Sequence, residues 1–231
     1  MWRALTAHFL IALSMGSSMT PAFQTKRPAC AICLRPQIAC ICQWIRPVAH
    51  QVEVLILQHP LEVANAKGSA RLLQLSLPHS RLVTGEVFGD LQALLTTPLP
   101  QALASRPRHA ILLYPDTPQA GALGMPVAPV LDPALLLEPE QLRLIVLDGT
   151  WRKSRKMLYR NPLLQHLPRL SLHDLPASRY LIRTAPRPDQ LSTLEATCAA
   201  LAQLEGSGEK FQPLLTAFDG FVAQQLGYQK S

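Results

Sequence analysis

Aromatic side chains are scarce in this chain, at 6% of 231 residues, and acidic ones are few, with 15 Asp and Glu against 22 Lys and Arg. The first shortage argues against a broad stacking platform for single strands, which needs repeated aromatics. The second leaves a formal net charge of +7 and an isoelectric point of about 9.5. That balance suits a polyanion, because Lys and Arg release counterions from phosphate. Cysteine, at five residues, is too sparse for a disulfide scaffold in a chain of this size. Long apolar runs are missing too. Phe9 to Leu13, after Arg3, faintly resembles a signal peptide but is short, and no small-x-small cleavage site follows. A bilayer span takes about 20 apolar residues. Residues 1–24 therefore read as a dispensable leader or a misassigned start, with Met15 and Met19 as alternatives. The expected location is the cytoplasm, with no membrane association and no obligate protein partner.

What is present is more specific. Hydrophobic residues make up 48% of the chain, enough for one substantial core and a small appendage. Four of the five cysteines fall close together, as Cys30-x-x-Cys33 and Cys40-x-Cys42. Paired thiolates at short spacing supply four tetrahedral ligands with little loop entropy, so residues 25–46 read as a structural zinc knuckle without chemistry of its own. An iron–sulfur cluster is the alternative occupant. Cys198 stands alone in an apolar helix and reads as core packing.

Strands and helices alternate from there on. Strand patterns run over 52–57, 81–84, 110–114, 142–147 and 170–172, and helical patterns over 69–77, 90–96, 191–204 and 211–226. The pattern implies an α/β fold with a mainly parallel sheet flanked by helices. Its centre is the stretch from Leu144 to Met157. An apolar run breaks at Asp148-Gly149, a turn signal, and resumes as a basic helix. Ligands gather at strand C-termini in open α/β sheets, and helix N-termini favour anions. Arg152, Arg155, Lys156 and Arg160 share one face at helical spacing. The plainer reading makes Asp148 a helix N-cap and Trp151 a core anchor. Ser192-Thr193-Leu194-Glu195 is a capping-box pattern. His59 ends another strand before Pro60, which forbids continuation, and on its own reads as a turn histidine.

Asp148-Gly149-Thr150-Trp151 matches the Asp-x-Thr-Trp motif of the DTW-domain family. The two cysteine pairs, Gln58-His59-Pro60-x-Glu62, Ala70-Arg71-Leu72-Leu73, Leu113-Tyr114-Pro115-Asp116 and Leu191-Ser192-Thr193-Leu194-Glu195-Ala196 resemble the rest of the family pattern, in its order and over nearly the whole chain after Cys30. Ser69 stands where the family often has Thr. The resemblance implies a knotted SPOUT-like catalytic domain over 47–231 and a tRNA-uridine aminocarboxypropyltransferase. Such an enzyme moves the 3-amino-3-carboxypropyl group of S-adenosylmethionine to uridine N3, with the tRNA variable loop favoured, and releases methylthioadenosine. On this reading Asp148, Thr150 and Trp151 carry the chemistry. Tyr114, Pro115, Asp116, Leu147, Arg152, Arg183 and Ser192 hold the cofactor. Arg71, Lys153, Arg155, Lys156, Arg160, Arg179 and Arg187 meet the tRNA, and Cys30, Cys33, Cys40 and Cys42 hold zinc. Two rivals stay open: a SPOUT-type S-adenosylmethionine-dependent RNA methyltransferase, and a zinc-containing RNA-binding protein without catalysis.

Overall fold

The computed structural model describes residues 28–99, 108–115, 126–172 and 191–228. Five strands, β1 (Glu53–Gln58), β2 (Ser80–Thr84), β3 (His109–Leu113), β4 (Leu142–Asp148) and β5 (Arg169–Leu170), form one parallel sheet in the order β2-β1-β4-β3-β5. Helices α1 (Ala70–Ser76), α2 (Leu91–Thr96), α3 (Trp151–Arg160), α4 (Pro162–Gln165), α5 (Thr193–Glu205) and α6 (Gln212–Gly227) flank it.

The central strands are apolar without alternation because both faces are covered. Val54 and Ile56 of β1 and Leu144 and Val146 of β4 join a core with α1, α5 and α6. Leu55, Leu57 and Ile145 point the other way, to a core with α2, α3 and α4. The last strand is shorter than the 170–172 expected. Only Arg169 and Leu170 pair, opposite Leu112 and Leu113, where β3 itself ends.

One charged cluster is wholly inside. Glu53 and Arg143 are register partners at the start of β1 and β4, and both are under 2% exposed. Arg143 Nε donates to Glu53 at 2.9 Å, and its other nitrogens donate to the Leu94 and Thr97 carbonyls at 2.7 Å. These carbonyls close the C-terminal turn of α2, where a cation satisfies orphan acceptors. Arg108 reaches the other Glu53 oxygen at 3.2 Å. The cluster fastens α2 to the end of the sheet remote from Asp148.

The cysteine segment packs on α6 through Trp44. A Cβ on Gly220 would lie 2.1 to 2.6 Å from the Trp44 ring. Gly220→Ala gains about 1 kcal/mol of helix propensity, but the overlap with a rigid indole costs roughly 1–3 kcal/mol or more. We expect a net loss of stability and a segment 28–46 that is cut faster in limited proteolysis.

Candidate active site and metal centre

β1 connects through α1 to β2 on one side, whereas the adjacent β4 connects through α3 to β5 on the other. Chain paths that diverge from neighbouring parallel strands open a crevice at the strand C-termini. Asp148, the last residue of β4, lies there, 5% exposed. Gln58, its register partner on β1, donates its side-chain amide to Asp148 Oδ2 at 2.9 Å. Thr193, the first residue of α5, donates its hydroxyl to Oδ1 at 2.7 Å. The His59 backbone N–H donates to the Asp148 carbonyl at 2.9 Å. Two elements distant in sequence, β1 and α5, thus fix the carboxylate, and the His59 N–H fixes the backbone beneath it. Its role is not that of an N-cap: Thr150 caps α3, accepting from the Lys153 N–H at 3.4 Å.

Gly149 lets the turn close. A Cβ there would sit 3.1 Å from Lys153 Cβ and 3.6 Å from His59 Cβ. Trp151, first in α3, is 51% exposed and so is no core anchor. Its indole stacks on Tyr114, with ring centroids 5.1 Å apart and planes 16° from parallel, and the Arg169 guanidinium lies over the Tyr114 ring at 5.4 Å. Pro115 follows on the surface, Leu147 is half-buried beside Asp148, and Arg152 is exposed. Ser192 and Glu195 form the expected capping box, at 3.2 and 2.8 Å. Ser69, the residue before α1, makes no side-chain cap to it; its hydroxyl accepts from the Leu194 N–H at 3.4 Å, which ties α1 to the start of α5.

The cations of α3 divide into two groups. Lys153 bonds the buried Glu62 at 2.7 Å. Lys156 bonds Glu86 Oε2 at 3.0 Å, His59 Nε2 lies 3.1 Å from the same oxygen, and Arg160 bonds Oε1. Lys156 and then Arg160 hold the Glu86 carboxyl down at about 2. A lowered carboxylate pKa means that this clamp is intact above the usual carboxylate range and is lost only as pH falls through about 2. Arg152 and Arg155 have no side-chain hydrogen bond or ion pair among the described residues. Arg71 reaches the Ile32 carbonyl and Gln74. Asp116, Arg179, Arg183 and Arg187 lie outside the described residues.

The sulfurs of Cys30, Cys33, Cys40 and Cys42 lie within 4.8 Å of one another, with Cys30–Cys42 at 3.6 Å and Cys33–Cys40 at 3.8 Å. A tetrahedron with metal–sulfur bonds of ~2.3 Å has edges of about 3.8 Å, so the set fits a metal ion. Backbone N–H groups of Cys33 and Ile32 hold the Cys30 thiol down at about 6, whereas burial pushes Cys42 up to about 12. Leu34, at φ 62°, turns the chain after the first pair in a conformation that L-residues disfavour. Arg35 then donates to the Ala66 and Gly68 carbonyls at 2.6 and 2.8 Å. With Arg71 on Ile32, these bonds fasten the cysteine cluster to the loop before α1, and Ser69 carries that loop to α5 and Thr193.

Residues 27–226 match the family model for the DTW domain. The chain belongs to the DTW-domain family. Its curated relatives include proteins named tRNA-uridine aminocarboxypropyltransferase 2 from Macaca fascicularis, 29% identical over 87% of this chain and 64% of the relative, and from Drosophila melanogaster, 30% identical over 87% and 76%. A third, from Arabidopsis thaliana, is named tRNA-uridine aminocarboxypropyltransferase A and is 25% identical over 89% and 83%. The chain spans about 64% of the length of the macaque and mouse relatives. No solved structure matches it significantly. In this DTW domain, sequence reasoning left Gln58, Glu62, Glu86 and Thr193 without a site role. The signal for Thr193 was its position beside the cap Ser192; Glu86 gave none.

Proposed function

We propose that this DTW-domain chain transfers the 3-amino-3-carboxypropyl group from S-adenosylmethionine to N3 of a uridine in tRNA, with the variable loop as the favoured location. The observation that carries the reading is Asp148, nearly buried at the switch point of the sheet and held from two sides by Gln58 and Thr193. A carboxylate has about four acceptor sites, and these two donors, one on each oxygen, orient it. Asp148 accepts the uridine N3–H and removes that proton as N3 bonds to the methionine Cγ. The Cγ–S bond breaks, and methylthioadenosine leaves with the electron pair. Thr150 and Trp151 line the same turn, where the stacked indole offers a face to a base.

The SPOUT-like knot belongs to this reading. The parallel order, and the return of α5 to the end of β4, support it. The four-cysteine set takes zinc, a closed structural site whose ion supplies cross-linking and no open position for chemistry. Among the described residues no helix is long and apolar enough to cross a membrane. A cytoplasmic tRNA enzyme is the reading we carry forward.

The test is the small-molecule product. With unmodified tRNA and S-adenosylmethionine, we expect methylthioadenosine by chromatography. S-adenosylhomocysteine would make the chain a methyltransferase on the same fold. A second outcome concerns the Glu86 clamp. Glu86→Gln frees Lys156 and Arg160 for phosphate, so tRNA binding should tighten at low salt and its log–log salt slope should steepen by about one to two units.

A further inference from the structure

Two of the few aromatic residues stand exposed on one helix, and this is unusual for the chain. Trp151 is 51% exposed and Tyr159 68%. They are the first and ninth residues of α3, with Arg155 midway between them. Spacings of four and eight residues keep all three on one face. Ser154, Met157 and Leu158 are buried on the side of α3 that borders this stripe, while Trp151, Arg155 and Tyr159 are all exposed. The rings are about 12 Å apart along the axis at ~1.5 Å per residue. Tyr228, also exposed, is by contrast tied to the cysteine segment through the Ile38 carbonyl at 2.6 Å. Tyr159 has no side-chain hydrogen bond or ring contact among the described residues.

The charge on this face is selective. Glu86 engages Lys156 and Arg160, and Glu62 engages Lys153. Arg152 and Arg155 are exposed and carry no such partner. What remains is an indole, a guanidinium and a phenol in line, beginning at the turn that holds Asp148. An aromatic–cation–aromatic stripe matches bases and phosphates of a single strand. Rings about 12 Å apart do not fit consecutive stacked bases at ~3.4 Å, but they fit a strand opened by extrusion of one base.

We propose that Tyr159 and Arg155, with Trp151, form a docking stripe for single-stranded RNA. Tyr159 stacks on a base flanking the target nucleotide, and Arg155 holds a phosphate between. This inference rests on the tRNA reading above and deepens it. It assigns Tyr159, which the DTW motif does not include, and it sets a narrow two-ring stripe where composition argues only against a broad stacking platform.

The test is binding without S-adenosylmethionine, by fluorescence anisotropy with unmodified tRNA and with a labelled 12-nucleotide oligouridylate. Tyr159→Ala should weaken both by about fivefold or more, the scale of one lost base–aromatic stack, while Tyr159→Phe stays within about twofold. Arg155→Gln should reduce the salt slope by about one unit. The exposed side chain makes misfolding of these variants a minor concern, and Leu137→Ala, exposed elsewhere, serves as the control. Wild-type affinity in Tyr159→Ala, or equal losses in Ala and Phe, would overturn the stripe. Tyr159-dependent binding without any uridine modification would leave the stripe standing and remove the transferase reading. Full modification with an unchanged KM for tRNA in Tyr159→Ala would do the reverse.

Discussion

Asp148→Asn should lower aminocarboxypropyl transfer by about 10²- to 10⁴-fold, the range of a lost general base, with little change in Tm. Asn has the volume of Asp, and its side-chain oxygen still accepts from the Thr193 hydroxyl. Its amide would oppose the Gln58 amide, but Gln58 can turn its own oxygen to meet it. The fold therefore survives while the negative charge is lost. Asp148→Ala removes the charge equally and also strands Gln58 and Thr193, so it should cost roughly a further 1–3 kcal/mol of stability. Steady-state transfer and thermal unfolding of both variants separate chemistry from folding. A carboxylate that only supported the fold would reverse the pattern: activity would follow stability, and Asn would be nearly silent.

Stripping the metal proposed for the four cysteines should also be severe, although the cysteine cluster lies outside the crevice. The route is a chain of hydrogen bonds. Arg35 and Arg71 join the cluster to the segment from Ala66 to Arg71, Ser69 joins that segment to Leu194, and Thr193 holds Asp148. A structural metal also carries folding free energy. Without it the strained turn at Leu34 relaxes and the Gly68–Ser69 segment loses its anchor. A misplacement of about 1 Å at a reacting group can cost on the order of 100-fold. A strong chelator, or Cys33→Ser, should lower Tm, bring transfer down by about that factor, and raise amide exchange over residues 66–71 and 192–194. If exchange rises only within residues 28–46 and transfer persists, the cluster is a local clip without influence on the site.

Much of this arrangement was legible in the residues. The unbroken apolar run to Leu147, the Asp148-Gly149 turn and the basic run after it give strand, turn and helix, because each step has a local cause. The cysteine spacing likewise carried its own geometry, and the capping box at Ser192 formed as written. What stayed hidden depends on distant partners. Gln58 and Thr193 reach Asp148 across 90 and 45 positions, and no periodicity reports which neighbour a strand end will meet. Asp148 reads as a helix cap until β4 is seen to extend through it, which passes the cap to Thr150. The cationic face of α3 reads as uniform because Glu86 sits in a loop with no pattern. Only its fold-given place beneath Lys156 and Arg160 sorts engaged charges from available ones. Trp151 reads as core because large aromatics are usually buried; packing on Tyr114 covers one face and leaves the other outward.

In the proposed reaction a fixed carboxylate directs a specific group to a specific base. Nucleoside mass spectrometry of tRNA incubated with S-adenosylmethionine and either the native protein or Asp148→Asn tests it most directly. We expect a uridine heavier by one aminocarboxypropyl group with the native protein, and only a trace with the variant. A methyl-sized gain, no gain despite demonstrated tRNA binding, or an equal yield from Asp148→Asn would contradict it.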